Sequence, residues 1–119
     1  HALDGLDELS TAAPTQVAEL KDGKVRSYSI APEDFGIARG DLAALRVDSP
    51  HESLKVVRDV LGGARGPAAD FVALNAGAAL YAADRADSLA DGIALAQDIL
   101  AQGTGLTRLD DYVRLTHAI

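Results

Sequence analysis

The sequence predicts an α/β chain in which a β-hairpin is followed by about four helices. Two observations carry this prediction. Asp22-Gly23 separates two short stretches suited to strands, and this dipeptide is a strong hairpin signal because a type I′ turn needs positive φ at both central positions. From residue 49 onward, repeated helix-start signals and apolar residues at helical spacing predict helices instead.

The composition is that of one globular domain. A chain of 119 residues is long enough for a modest core. Apolar residues make up 48% of the chain, which argues against disorder, whereas aromatic residues make up only 4%. The core must therefore be built from Ala, Leu, Val and Ile, which suits closely packed helices.

The charge balance excludes some classes of partner. Eleven basic residues against eighteen acidic ones give a net charge of −7, which argues against a nucleic-acid partner because phosphate backbones need a basic footprint. The apolar runs are too short to span a bilayer and no basic amphipathic stretch is present, so no membrane partner is expected. The lack of cysteine and of a secretory signal fits a cytoplasmic location.

The first third of the chain is predicted to be a loop followed by the hairpin. Residues 1–14 have the character of a loop, and the strands are expected over residues 15–20 and 24–30. An isolated two-stranded hairpin is marginally stable in water. It should therefore pair with strands outside this chain or lie on the helices as a small sheet. Residues 31–48 form a linker, with a short helical turn expected near residues 41–46.

The first helix has a well-defined start. Ser49 is a suitable N-cap, Pro50 fits the first helical position and Glu52 would complete a capping box. Gly62-Gly63 should end the helix. One apolar face is formed by Leu54, Val57, Val60 and Leu61.

Three further helices follow. The second begins at Gly66-Pro67 and runs to about Ala83; it has almost no polar face, which predicts a buried, central helix. The third begins at Ser88, with Asp91 completing its start signal, and ends before Gly103. The last is predicted to be capped by Thr107 with Asp110, and its inward-facing residues are predicted to be Leu109, Tyr112 and Val113.

An acidic cluster lies in the N-terminal loop, where Asp4, Asp7 and Glu8 surround Gly5. Carboxylates in irregular backbone are suited to magnesium and phosphate chemistry. Such a loop is normally reached by a strand from the core, so we expect the chain to be a piece of a larger enzyme that begins just before its metal-binding loop. Asp4 could be a third metal ligand or cap the turn at Gly5, and the turn is favoured.

Several other polar residues have an ordinary structural interpretation beside a functional one. Ser10 and Thr11 could contact phosphate, but hydroxyls of this kind more often bond the local backbone. Asn75, in the middle of the second helix, could steady an active-site wall or bond a neighbouring loop, and the second role is favoured. Arg39 and Arg46 could touch substrate phosphate, but surface pairing with Asp41 or Asp48 is favoured. His51 and His117 are expected to be surface residues, and the terminal His1 is expected to be inert.

Three stretches together resemble anthranilate phosphoribosyltransferase. The resemblance covers essentially the whole chain and corresponds to the C-terminal third of that family. The stretches are His1-Ala2-Leu3-Asp4-Gly5-Leu6-Asp7-Glu8-Leu9-Ser10, then Ser10-Thr11-Ala12-Ala13-Pro14-Thr15 with Val17-Ala18-Glu19-Leu20 and Pro32-Glu33-Asp34-Phe35-Gly36, and last Gly66-Pro67-Ala68 with Leu74-Asn75-Ala76, Ala79-Leu80-Tyr81 and Ala86-Asp87-Ser88-Leu89.

The resemblance implies a fold and an activity. The family transfers the phosphoribosyl group of phosphoribosyl pyrophosphate to the amine of anthranilate and releases pyrophosphate, in tryptophan biosynthesis. This chain would be the last part of its α/β domain, which is of the nucleoside phosphorylase-like type. The Gly-rich pyrophosphate loop, the anthranilate-contacting residues and the helices of the family homodimer would lie upstream. The 119-residue chain alone should therefore be inactive, with the missing N-terminal part as its partner.

The resemblance also assigns a metal site. The acidic pair of the family falls on Asp7 and Glu8, which would hold Mg²⁺ against the pyrophosphate of the substrate. No catalytic residue and no other cofactor-binding residue is carried over. Two departures from the family pattern lie near this loop: Ala2 replaces a common glycine, and Ala12-Ala13 replaces a more usual Thr-Gly.

Two other classes of function remain as alternatives. The chain could be a non-catalytic relative or a separated binding or interaction module with the same fold; nucleic-acid-binding relatives of that kind are disfavoured by the net charge of −7. It could also belong to a phosphorylase that shares the broader fold. The stretches over residues 10–15 and 32–36 favour the phosphoribosyltransferase.

Overall fold

The computed structural model describes residues 1–118; Ile119, the last residue of the domain predicted over 1–119, lies outside the described residues. The predicted order of hairpin and four helices is confirmed. The elements are β1 (Thr15–Lys21), β2 (Lys24–Ile30), α1 (Pro50–Leu61), α2 (Pro67–Ala82), α3 (Leu89–Ala101) and α4 (Gly105–His117), with short 3-10 turns at Pro32–Phe35 and Leu42–Leu45 in the linker.

The hairpin forms at the predicted turn. Strands β1 and β2 are antiparallel, with Lys21 opposite Lys24. Asp22 and Gly23 have φ values of 52° and 71°, which is the left-handed geometry that a type I′ turn requires. A bridge between Ala2 and Thr15 adds the N-terminal residues to the outer side of β1.

Tyr81 on α2 joins the hairpin to the helices. Its hydroxyl donates to Glu19 Oε1 at 2.5 Å and accepts from Lys21 Nζ at 2.9 Å. The Lys21 ammonium also lies 4.8 Å from the centroid of the Tyr81 ring, within the range of a cation–π interaction. The hairpin therefore contacts α2 through Tyr81, in line with one of the two arrangements expected for it.

Two helices begin with the predicted capping residues. The hydroxyl of Ser49 accepts from the Glu52 backbone at 3.2 Å, and that of Ser88 accepts from the Asp91 backbone at 3.1 Å. The Glu52 carboxylate accepts from the backbone N–H of Asp48 at 2.8 Å rather than from that of Ser49. The reciprocal half of the predicted capping box is therefore shifted by one residue.

The predicted start of the last helix is wrong. Helix α4 begins at Gly105 after Thr104, whose side chain makes no capping hydrogen bond, so Thr107 lies inside the helix. Gly105 packs onto Leu61 at the end of α1: a Cβ at Gly105 would lie 2.9 Å from Leu61 Cδ2. A tertiary contact rather than a capping side chain marks this helix start, and a tertiary contact leaves no local signal in the sequence.

The tightest packing in the chain joins α2 and α3. A Cβ on Gly77 would lie 2.5 Å from the backbone nitrogen of Ile93, and a Cβ on Gly92 would overlap the carbonyl oxygen of Gly77. The two backbones approach this closely because neither glycine has a side chain. Next to this contact, Ile37, Leu74 and Ile93 form the buried cluster, against which lie Leu9, Phe35 and Leu89.

The outer faces of the helices are more exposed than the apolar pattern predicts. Leu54, on the predicted apolar face of α1, is 48% exposed. Tyr112 on α4 is 64% exposed, so its predicted inward orientation is wrong. Helix α2 is central, as predicted, since it contacts both α1 and α3, but its Val72 is also exposed. The described residues therefore leave part of the apolar surface of these helices uncovered. No helix within residues 1–118 combines the length and the apolar character that crossing a bilayer requires.

Candidate metal-binding loop

The acidic loop begins with a tight turn around Gly5. Gly5 has a φ of 99°, which favours glycine. The Ala2 backbone donates to the carbonyl oxygen of Leu6 at 2.9 Å, and Asp4 Oδ1 accepts from the Leu6 backbone at 3.2 Å. Asp4 therefore caps the turn, which is the favoured one of its two predicted roles.

The other carboxylate oxygen of Asp4 closes the loop. Asp4 Oδ2 accepts from the Ser10 hydroxyl at 2.5 Å, and the same hydroxyl oxygen accepts from the Ala12 backbone at 2.9 Å. The hydrogen bond from Ser10 lowers the pKa of Asp4 below its ordinary value. Ser10 is only 1% exposed, so its hydroxyl has the local structural role that was favoured over phosphate binding.

Asp7 and Glu8 lie between these fixed points and face solvent. Both are exposed and both occupy bends in irregular backbone. The ion pairs within residues 1–118 involve other carboxylates. Within the same residues no group of three or more acidic or histidine side chains is placed to hold a metal ion.

The loop ends at Leu9, which is held by Asn75 of α2. Asn75 Oδ1 accepts from the Leu9 backbone nitrogen at 2.9 Å, and Asn75 Nδ2 donates to the Leu9 carbonyl oxygen at 2.9 Å. A third hydrogen bond joins Nδ2 to the Phe71 carbonyl at 3.1 Å. The prediction that Asn75 bonds a neighbouring loop is confirmed, and that loop is the acidic one.

The remaining candidates lie apart from a site. Arg39 forms an ion pair with Glu33, at 2.7 Å between Nε and Oε1, rather than with Asp41 or Asp48; the Arg39 guanidinium lowers the pKa of Glu33. Asp41 instead accepts from the Ala43 backbone and caps the second 3-10 turn. The side chains of His51 and His117 are exposed, as predicted, and that of His1 is exposed as well.

Sequence reasoning missed the groove between β1 and α2. It has a volume of about 370 Å³, and Glu19, Lys21 and Tyr81 are among the residues that line it. Tyr81 is 60 to 62 residues from its two partners. No local pattern connects residues so far apart in sequence, so only the tertiary structure could reveal this cluster.

Comparison with known families now identifies the class of protein. The model of the glycosyl transferase family, a/b domain, matches residues 1–106, and the chain belongs to this family. Among curated relatives, the anthranilate phosphoribosyltransferase of Chromohalobacter salexigens is 55% identical over all 119 residues, which make up 34% of that enzyme. The chain therefore spans about a third of the length of the curated relatives it matches.

Solved structures give the same result. The anthranilate phosphoribosyltransferase of Thermus thermophilus matches 93% of this chain and 33% of its own with a TM-score of 0.82 and 39% identity. A variant of the Saccharomyces cerevisiae enzyme with Mg bound matches 98% of this chain and 34% of its own with a TM-score of 0.84. At 21% identity this second likeness bears on the fold alone. The predicted resemblance and fold class are confirmed.

Proposed function

We propose that this chain is the C-terminal part of the α/β domain of an enzyme that transfers the phosphoribosyl group of phosphoribosyl pyrophosphate to anthranilate, a step of tryptophan biosynthesis. In this reaction the amine nitrogen bonds to the ribose carbon, the bond to pyrophosphate breaks and the amine loses a proton. The observation that carries the proposal is the 55% identity over the full 119 residues.

In this proposal, Asp7 and Glu8 hold Mg²⁺. The donor set fits the ion, because magnesium takes one or two carboxylates and keeps several waters and substrate phosphate oxygens. Two exposed carboxylates on irregular backbone leave room for such a hydrated ion. When bound, the ion would neutralise charge that develops on the departing pyrophosphate. The magnesium-bound yeast structure has the same fold, which is consistent with this role.

The remaining groups of the active site belong to the N-terminal part of the same protein. That part would supply the pyrophosphate loop, the anthranilate contacts and the homodimer interface, and the enzyme would work in the cytoplasm. Catalysis of this kind depends on the positioning of two substrates. The 119-residue chain alone is therefore expected to be inactive and to bind Mg²⁺ weakly in calorimetry.

The test is turnover of anthranilate with phosphoribosyl pyrophosphate by the full-length protein and its variants. Asp7→Asn and Glu8→Gln should each lower kcat/KM by about a hundredfold, because a metal clamp contributes several kcal/mol to transition-state stabilisation. Asp98→Asn is the matched control, since Asp98 is an exposed carboxylate on α3, and should leave turnover unchanged. Full activity in both loop variants would contradict the metal role. A folded full-length protein without any turnover would favour the non-catalytic alternative.

A further inference from the structure

The side chain of Asn75 satisfies both backbone hydrogen-bonding groups of Leu9. It accepts from the Leu9 nitrogen and donates to the Leu9 oxygen, each at 2.9 Å, as a neighbouring strand would. Its Nδ2 also donates to the Phe71 carbonyl one turn earlier in α2. Only one orientation of the amide serves all three bonds, since Nδ2 faces two carbonyls and Oδ1 faces an N–H.

Leu9 is thereby fixed through its backbone and its side chain together. Its side chain packs against the buried cluster of Ile37, Leu74 and Ile93. Because Glu8 directly precedes Leu9, whatever holds the Leu9 backbone also limits where the Glu8 backbone can lie. The hydrogen bond from Ser10 to Asp4 ties together the two ends of the same segment.

The exposed carboxylates of Asp7 and Glu8 therefore lie on a short span between two anchors. The loop itself buries little of either side chain, since both face solvent. A loop that must present two carboxylates to one ion needs its backbone fixed by neighbouring groups, because outer partners of ligating carboxylates set their orientation. Asn75, on the central helix, is placed to do this.

We propose that Asn75 is a positioning residue for the magnesium loop: it holds Leu9 so that Asp7 and Glu8 meet the metal-bound pyrophosphate of the substrate. This proposal rests on the proposed function. It differs from a purely structural role for the amide, which would alter stability but leave the response to magnesium unchanged. In a positioning role, loss of the hydrogen bonds from Asn75 leaves the Leu9 backbone groups to bond water. The loop is then less firmly held, and the response to magnesium changes.

The test uses Asn75→Asp in the full-length protein. This variant has nearly the same shape, but its ionised side chain offers an acceptor to the Leu9 carbonyl in place of a donor. The Mg²⁺ concentration for half-maximal turnover should rise about tenfold, since loss of an outer partner typically weakens a metal site tenfold to a hundredfold. Amide hydrogen exchange at Leu9 should become about tenfold faster or more, while exchange in α3 stays unchanged.

Val60→Ala is the matched control. Val60 is buried in α1, so the variant loses stability without touching the loop. It should leave both the Mg²⁺ midpoint and Leu9 exchange as in the parent. Asn75→Leu removes donor and acceptor together and should change the Mg²⁺ midpoint and Leu9 exchange as Asn75→Asp does. If Asn75→Leu fails to fold, the results for Asn75→Asp still test the positioning role.

The outcomes separate the two proposals. If Asp7→Asn and Glu8→Gln abolish turnover but Asn75→Asp changes neither readout, the positioning role is wrong and the proposed function stands. If Asn75→Asp accelerates Leu9 exchange while Asp7→Asn and Glu8→Gln leave turnover intact, the metal role itself fails, and with it any positioning toward magnesium. A raised Mg²⁺ midpoint with accelerated exchange supports the proposal.

Discussion

The α2–α3 pair and the α1 and α4 helices differ sharply in how they are packed. The first two meet backbone to backbone through Gly77 and Gly92, with Leu74 only 2% exposed beside them. On α1 and α4, apolar side chains such as Leu54 and Tyr112 remain exposed. The sequence indicates part of this difference, because α2 has almost no polar face whereas α1 has a single apolar one. The rest comes from what the described residues place against each face.

This difference shows where the acidic loop is attached. Leu9 packs on the α2–α3 core and Asn75 projects from α2 to hold it. The loop is therefore anchored to the tightest part of the molecule. The exposed faces of α1 and α4 contribute little burial, so they should tolerate changes that the core does not.

The largest expected effect tests this contrast with one chemical change at two sites. Leu74→Ala should destabilise the chain by about 3 kcal/mol, because truncation of a buried leucine loses its transfer free energy and leaves a cavity. Leu54→Ala should change the free energy of unfolding by no more than about 0.5 kcal/mol, since Leu54 is half exposed and alanine is a better helix former. Urea denaturation of the two variants measures both values. Equal losses would show that the two regions are packed alike.

A smaller effect is expected from Gly92→Ala. The added methyl group meets the Gly77 carbonyl oxygen, and overpacking of this kind costs about 1 to 3 kcal/mol. Because the methyl group would overlap backbone rather than a flexible side chain, we expect a cost at the upper end of this range. Alanine recovers about 1 kcal/mol of helix propensity, which leaves a net loss of about 2 kcal/mol in the free energy of unfolding. Gly40→Ala is the control, because its Cβ would lie 3.9 Å from Thr11, an ordinary contact. Stabilisation by Gly92→Ala would mean that the α2–α3 contact is looser than it looks.

The smallest effect concerns acid stability of the loop. The Ser10 hydrogen bond lowers the pKa of Asp4 in the folded chain. A lowered folded pKa contributes stability above the ordinary carboxyl pKa of about 3.9, and this contribution is lost as the pH falls through the folded value.

Asp4→Asn should therefore be less stable than the parent near neutral pH, and the difference should shrink as the pH falls below about 4. Urea midpoints measured across this range check the prediction. Ser10→Ala removes the donor and should show the same trend, while the double variant should add little. A difference that grows in acid would reverse the assigned sign.

Local signals in the sequence predicted the elements well. Asp22-Gly23 predicted the hairpin turn, and Ser49 and Ser88 predicted two helix starts, because turns and caps depend on residues close in sequence. Thr107 was wrong because packing of Gly105 on Leu61 marks the start of α4. The predicted partner of Arg39 was also wrong, because several carboxylates lie close to it in sequence and only the folded structure selects Glu33.

The candidate site was only partly predictable. The resemblance directed attention to Asp7 and Glu8, and their role as metal ligands stays a prediction. Asn75 was identified as a polar residue in an apolar helix, but the sequence could not say which loop it bonds. The two residues it links are 66 positions apart, and a side-chain amide can bond any loop that folding brings near.

The sequence by itself determined the order of hairpin and helices and most of their starts, because turn geometry, capping and apolar spacing are properties of neighbouring residues. Its similarity to phosphoribosyltransferases also determined the family. Only the tertiary structure decided that α2 and α3 meet through paired glycines, that Tyr81 holds the hairpin and that Asn75 anchors the acidic loop. These contacts join distant residues, and their energies depend on which surfaces the folded chain brings together.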